Sequence, residues 1–132
     1  MALLKRITDP TDPTCEIDAY VRLALNNRPR VGLGLGLHAE FLAYRSKAAA
    51  DAGGTPLAVF QMDIPPEIYA QVWDGLFSAS ALSLEDVNPD AVVYAWAMRF
   101  DSNLKGCEAL LDSGQTAFDL GDVTLEGDNH GI

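Results

Sequence analysis

Two stretches in the first half of the chain space their hydrophobic residues at the three- and four-residue intervals of an amphipathic helix. The first, residues 15–27, follows Thr14, which can cap a helix, and ends at a pair of asparagines. Its predicted inner face carries Ile17, Tyr20, Val21, Ala24 and Leu25. The second runs over residues 37–51 before two glycines, and its inner face carries Phe41, Tyr44 and Ala48.

The second half of the chain predicts two more helices. Residues 65–77 begin with two prolines, which suit the first turn of a helix, and place Ile68, Val72 and Leu76 inward. Residues 89–112 form the longest predicted helix. The stripe expected to enter the core consists of Val93, Trp96, Ala97, Phe100, Leu104, Cys107 and Leu111.

Three segments lack a helical period. Residues 1–14 contain the repeat "TDPTDPT", whose prolines disfavour helix and which fits an extended segment or a series of turns, and we expect an extended arm there. Residues 55–64 are a short apolar run that fits a strand or a helical turn, with a weak preference for strand. Residues 116–126 alternate about a Gly-Asp pair and predict a β-hairpin. We therefore expect a mainly α protein with about four helices: an arm at 1–14, a helical domain at 15–114, and an acidic hairpin and tail at 115–132.

Charge is unevenly distributed along the 132 residues, whose formal net charge is −10. Residues 1–50 contain seven Lys and Arg against five Asp and Glu, whereas residues 51–132 contain two against fourteen. An acidic half repels nucleic-acid phosphates and anionic membranes, so neither is an expected partner. We also expect no secretory signal, and no apolar run in the sequence is long enough to cross a bilayer. The expected location is the cytoplasm, or a viral particle assembled there.

The stretch "GLGLGLHA" raises the question of a phosphate-binding loop. Gly34, Gly36 and Ala39 match the relaxed dinucleotide fingerprint G-x-G-x-x-A. That fingerprint needs a buried strand before the glycines and an acid at a strand end about twenty residues later, and neither is apparent. The glycines are therefore interpreted as a linker, although an anion site at the Gly32–Gly36 loop stays open.

Two further motifs are incomplete. His38 and Glu40 match the first half of a zinc-deaminase signature, but the paired cysteines that supply the other ligands are missing, since Cys15 and Cys107 stand far apart. Residues 86–97 begin like a calcium loop and lack its glycine and its final glutamate. The sequence thus predicts no metal, no cofactor and no catalytic residues, and we expect a protein that is not an enzyme.

The remaining prediction is a structural or assembly protein that contacts other protein subunits, including copies of itself. Opposite charges on one chain favour head-to-tail contacts that can close into rings, and small phage virion components share this make-up by fold-level analogy. The alternative is an acidic inhibitor that imitates nucleic acid and binds a basic partner protein. The interface candidates are Arg22, Arg28, Arg30, Arg45, Asp119, Asp122 and Glu126.

Overall fold

A five-stranded antiparallel sheet is the main element of the protein. The computed structural model describes residues 1–27, 36–78, 81, 89–112 and 117–120. The strands are β1 (Ala2–Asp9), β2 (Asp12–Asn27), β3 (Leu37–Tyr44), β4 (Ala58–Ile64) and β5 (Glu108–Leu110). Their order is β4-β3-β2-β1-β5, so the first four strands form a meander and β5 returns to pair with β1.

Helices cover one face of this sheet. They are α2 (Pro66–Val72), which continues into a π-helical segment (Trp73–Phe77), and α3 (Pro89–Phe100). Both pack on the side chains that alternate inward along the strands, and we call this side the helix-covered face. The largest fully buried side chains of this core are Tyr69, Phe41, Phe77, Leu3, Leu37, Ile64, Leu104, Val21, Val92 and Val93.

On the opposite side, which we call the open face, one short helix packs against the sheet among the residues that the structure describes. The short helix α1 (Lys47–Asp51) begins at Ser46, whose hydroxyl accepts a hydrogen bond from the Ala49 N–H. Its Ala50 packs against Ala2 and Tyr20 in a second, smaller cluster. The helix is followed by Gly53, whose φ of +73° favours glycine.

The expectation of a mainly α protein is wrong, and residues 15–27 show why. They belong to β2, because Ile17, Ala19, Val21 and Leu23 alternate along the helix-covered face while polar residues occupy most positions between them. Tyr20 and Leu25 gave this stretch a helical appearance, but both lie on the open face. Alternation, rather than the three- and four-residue spacing, decided the structure.

The second predicted helix is wrong in the same way over its first half. Residues 37–44 form β3, whose burial alternates strictly between the two faces, and only Lys47–Asp51 is helical. The open question at residues 55–64 resolves in favour of a strand, since Ala58–Ile64 forms β4. Residues 1–14 are β1 and the start of β2 rather than an arm outside the fold.

The longest predicted helix ends earlier than expected. The helix α3 stops at Phe100, and a turn that includes Gly106, with φ of +81°, leads into β5. Trp96 and Leu104 are buried as predicted and Phe100 is partly buried, but Leu111 is 44% exposed and lies outside the core. Within the predicted C-terminal hairpin, residues 117–120 have no regular structure, and 116 and 121–126 lie outside the described residues.

A tyrosine of α3 completes the hydrogen bonding between β1 and β2. Leu3 pairs with Val21, so the next pair of residues on the same face would join Met1 to Leu23. The Tyr94 hydroxyl occupies that position: it accepts the Leu23 N–H at 2.6 Å and donates to the Met1 carbonyl at 3.1 Å. Leu23 also begins an irregularity in the pairing of β2 with β3. The hydroxyl thus links the helix to the sheet where the ladder is interrupted.

Candidate interaction surface

The open face carries exposed hydrophobic residues on three neighbouring strands. Val59 on β4 pairs directly with Leu42 on β3, and Leu25 on β2 is the diagonal neighbour of Leu42. Val59 is 52% exposed, Leu25 is 43% exposed and Leu42 is partly exposed. We call these three residues the apolar strip. Their contiguity distinguishes them from single exposed hydrophobic residues, which are normal on protein surfaces.

The apolar strip reaches the edge of the sheet. Among the described residues, β4 has a strand neighbour on one side only, which is β3. Its sequence "AVFQMDI" contains a single charged residue, Asp63, near one end. Natural edge strands usually carry charges, prolines or bulges that prevent pairing with another chain, and β4 has few of these protections.

A polar cluster adjoins the strip on the same face. His38 Nδ1 donates to Asp63 Oδ1 at 2.7 Å, and His38 Nε2 lies 3.5 Å from Glu40 Oε1. Gln61 Nε2 donates to the same Glu40 oxygen at 3.2 Å. The hydrogen bond to Asp63 is the main reason that the His38 pKa is raised above its ordinary value. The cluster thus joins two carboxylates to one imidazole and one amide, and it forms a polar border to the strip.

Two of the interface candidates are paired within the chain. Arg22 donates to Asp51 at 2.7 Å and to the Tyr20 hydroxyl at 3.3 Å, and these contacts raise its pKa. Arg45 makes two hydrogen bonds of 3.0 Å to Asp9. Their charges are thus largely neutralised by partners on the same chain, which weakens the idea of a basic surface that attracts an acidic neighbour.

The Asp9 carboxylate is held by a dense set of donors. Besides Arg45 it accepts the N–H and the hydroxyl of Thr11, at 2.9 and 2.8 Å. The guanidinium and these hydrogen bonds keep the pKa of Asp9 well below its usual range. The first half of the "TDPTDPT" repeat therefore forms the β1–β2 turn and anchors it to the start of the segment after β3. Sequence reasoning gave these residues a local role and missed the long-range contact.

The other interface candidates receive little or no structural description. Arg28, Arg30, Asp122 and Glu126 lie outside the described residues, whereas Asp119 lies on the surface in the irregular segment 117–120. The apolar strip, by contrast, was not a candidate. Its sequence signal is the presence of hydrophobic residues on both faces of an alternating strand, which becomes readable only once the strands are known.

The structure also places the incomplete motifs. Gly36 lies just before β3, where an added Cβ would stand 1.8 Å from the Ile64 carbonyl oxygen, so close packing against the end of β4 requires glycine there. His38 and Glu40 share the open face, and no group of His, Cys, Asp or Glu in the described part of the chain could hold a metal. The described residues do not include Gly32 and Gly34, nor residues 86 and 88 of the calcium-like stretch.

The two cysteines differ in environment and are not joined by a disulfide. Cys15 is exposed, and its thiol lies 3.2 Å from an Asp12 carboxylate oxygen. Cys107 is partly buried beside the core, and burial raises the pKa of its thiol. A raised pKa lowers the thiolate population at neutral pH, which disfavours a nucleophilic role for Cys107.

Comparisons with protein-family models, curated proteins and solved structures found no match. The analogy with phage virion components therefore has no support, and the structure corrects the helical character on which it partly rested. Of the helices that the structure describes, none combines the length and the apolar character needed to span a membrane.

Proposed function

We propose that the protein is a non-enzymatic subunit that associates with copies of itself through the apolar strip on the open face. The observation that carries this proposal is the contiguous exposure of Val59, Leu42 and Leu25 beside a sheet edge. Full burial of a valine or leucine side chain contributes about 1.5–3 kcal/mol, so covering the exposed half of Val59 or Leu25 contributes about 1 kcal/mol each.

The local charge supports contact between copies despite the net charge of −10. The strip itself is uncharged, and at its border Asp63 is paired with His38. On the same face Arg22 is paired with Asp51. A second copy that approaches the strip therefore meets carboxylates that already have hydrogen-bond partners within their own chain, since Glu40 also accepts from Gln61. Because the contact is apolar, raising the salt concentration should not dissociate it, whereas a contact between oppositely charged surfaces would weaken.

The acidic-inhibitor alternative has less support in the described residues. Imitation of nucleic acid requires a row of unpaired carboxylates at roughly phosphate spacing. Glu16 and Asp18 on the open face instead both contact Arg6, and Asp51 contacts Arg22. We therefore favour self-association.

Sedimentation velocity over a wide concentration range, at low and high salt, tests the proposal. A pair of variants identifies the surface, because Val59 and Leu111 are both exposed hydrophobic residues, at 52% and 44%. Val59→Asn should weaken self-association, and Leu111→Asn, near the opposite edge of the sheet, should not. A wild-type protein that remains monomeric at about 1 mM, or an equal effect of the two substitutions, would overturn the proposal.

A further inference from the structure

The β4 edge and the apolar strip together suggest how two copies meet. Resting on the self-association proposed above, we infer that two copies pair antiparallel through β4 and form one continuous ten-stranded sheet. The backbone of an unpaired edge strand presents a row of N–H and C=O groups, and pairing with another strand satisfies them. A two-fold axis perpendicular to the sheet leaves the helices of both copies on the same side.

The distribution of charge along β4 fits a second copy of the same strand. Asp63 is the one charged residue of β4 and stands near its C-terminal end. Antiparallel pairing centred on Phe60 places the two Asp63 residues at opposite ends of the joint, offset by six residues, or about 20 Å. This separation exceeds the Debye length of about 8 Å at physiological ionic strength, so the two carboxylates repel each other little.

The same register matches the side chains on both faces. On the helix-covered face Phe60, which is partly buried, would lie opposite Phe60 of the second copy, an aromatic cross-strand pair. On the open face Val59 would lie opposite Gln61, and the two apolar strips would become neighbours across the joint. Shifting the centre to Gln61 would instead set Asp63 directly opposite Val59, which is less favourable for the carboxylate.

Lysine substitution provides the first test. Val59→Lys adds a charge to an exposed edge position and brings two lysines close together in the proposed pair, so the dimer dissociation constant should rise at least about tenfold. Thr8→Lys is the matched control, because Thr8 is also exposed and lies on β1, with β2 and β3 between it and β4. Both variants reduce the net negative charge equally. If net charge alone governed association, both variants would associate more tightly than the wild-type protein, because less negative copies repel each other less.

A second test is needed because Val59 lies both in the apolar strip and on the edge strand, so Val59→Lys would weaken either mode of association. Amide hydrogen exchange separates the two modes. Edge pairing adds backbone hydrogen bonds to every second residue of β4, so alternate β4 amides should exchange more slowly when the dimer forms. Stacking of two open faces would add no backbone hydrogen bonds to β4, so its amide exchange would not alternate in this way. Urea unfolding provides the control for folding. A cooperative transition of Val59→Lys with a midpoint close to that of the wild-type protein would establish that the variant is folded.

The outcomes separate this inference from the proposed function. A dimer that is lost in Val59→Lys, retained in Thr8→Lys and accompanied by alternating protection of β4 supports edge pairing. Self-association that requires Val59 but leaves β4 amide exchange unchanged overturns edge pairing and leaves the assembly function standing. A wild-type protein that stays monomeric overturns both.

Discussion

Replacement of Tyr94 by Phe should measure the strength of the link between α3 and the first two strands. Tyr94 is 3% exposed, and its ring contacts Phe41 edge-on at 5.6 Å between centroids. The substitution keeps that ring contact and removes only the hydroxyl. It leaves the Leu23 N–H and the Met1 carbonyl without the partner that now joins them.

The expected cost follows from those two backbone groups. A partly buried donor or acceptor that loses its partner costs about 1–3 kcal/mol, so we expect Tyr94→Phe to lower the free energy of unfolding by about 2 kcal/mol. Tyr44→Phe is the control, because Tyr44 is partly buried and its hydroxyl makes no hydrogen bond to the residues that the structure describes. Its cost should stay below about 0.5 kcal/mol.

Urea unfolding followed by fluorescence gives both values. With an m-value of about 2 kcal/mol per molar urea, the Tyr94→Phe midpoint should fall by about 1 M while the slope stays unchanged. Equal midpoints for Tyr94→Phe and Tyr44→Phe would refute the reasoning, since water would then satisfy the two backbone groups as well as the hydroxyl does.

The pKa of the same hydroxyl allows a prediction of how the stability of the protein changes at alkaline pH. Burial raises the pKa of Tyr94 to about 12, above the ordinary value of 10. The unfolded chain therefore loses the proton first, and the stability that Tyr94 provides is complete below pH 10 and declines as the pH rises toward 12. A difference of two pKa units between the folded and unfolded states corresponds to roughly 2–3 kcal/mol of unfolding free energy. The stability advantage of the wild-type protein over Tyr94→Phe should shrink across this range.

Three further predictions concern the core, the polar cluster and the turn. Phe41→Ala should lower the unfolding free energy by about 3–5 kcal/mol and Leu111→Ala by less than about 1 kcal/mol, as measured by urea unfolding, because only Phe41 is fully buried. The His38 pKa in an NMR titration should exceed 6.5 and fall in Asp63→Asn, since the carboxylate is the main cause of the rise. Asp9→Asn should destabilise the protein at neutral pH, and because the Asp9 pKa is lowered on folding, the difference from wild type should diminish as the pH falls below 3.8.

The helix-forming regions of the second half were the part of the fold that periodicity predicted best. Residues 66–77 and 89–100 are helical, and Trp96 enters the core as its stripe required. The end of α3 was missed because Leu104 continues the helical spacing although it lies in a turn, where it is buried. Spacing alone cannot separate a helix from a turn that returns a side chain to the same core.

The strands were missed because β2 and β3 carry hydrophobic residues on both faces. A strand with one solvated face alternates cleanly between apolar and polar residues. In β2 the inward residues do alternate, but Tyr20 and Leu25 fall between them on the other face and create apparent helical intervals with Ile17 and Val21. In β3, Tyr44 on the open face has the same effect, because it lies three residues after Phe41.

One of the residues that obscured the strand period, Leu25, also belongs to the apolar strip. Tyr20 is accounted for by α1, which packs on it within the chain. In the described part of the chain no helix packs on Leu25 or Leu42, and together with Val59 they form the apolar strip. Burial against a second copy would give these residues the environment that their hydrophobicity favours, as α1 does for Tyr20. On the proposal of self-association, the interruption of the sequence pattern at Leu25 and the contact between copies have one physical cause, which is the presence of hydrophobic side chains on the open face of the sheet.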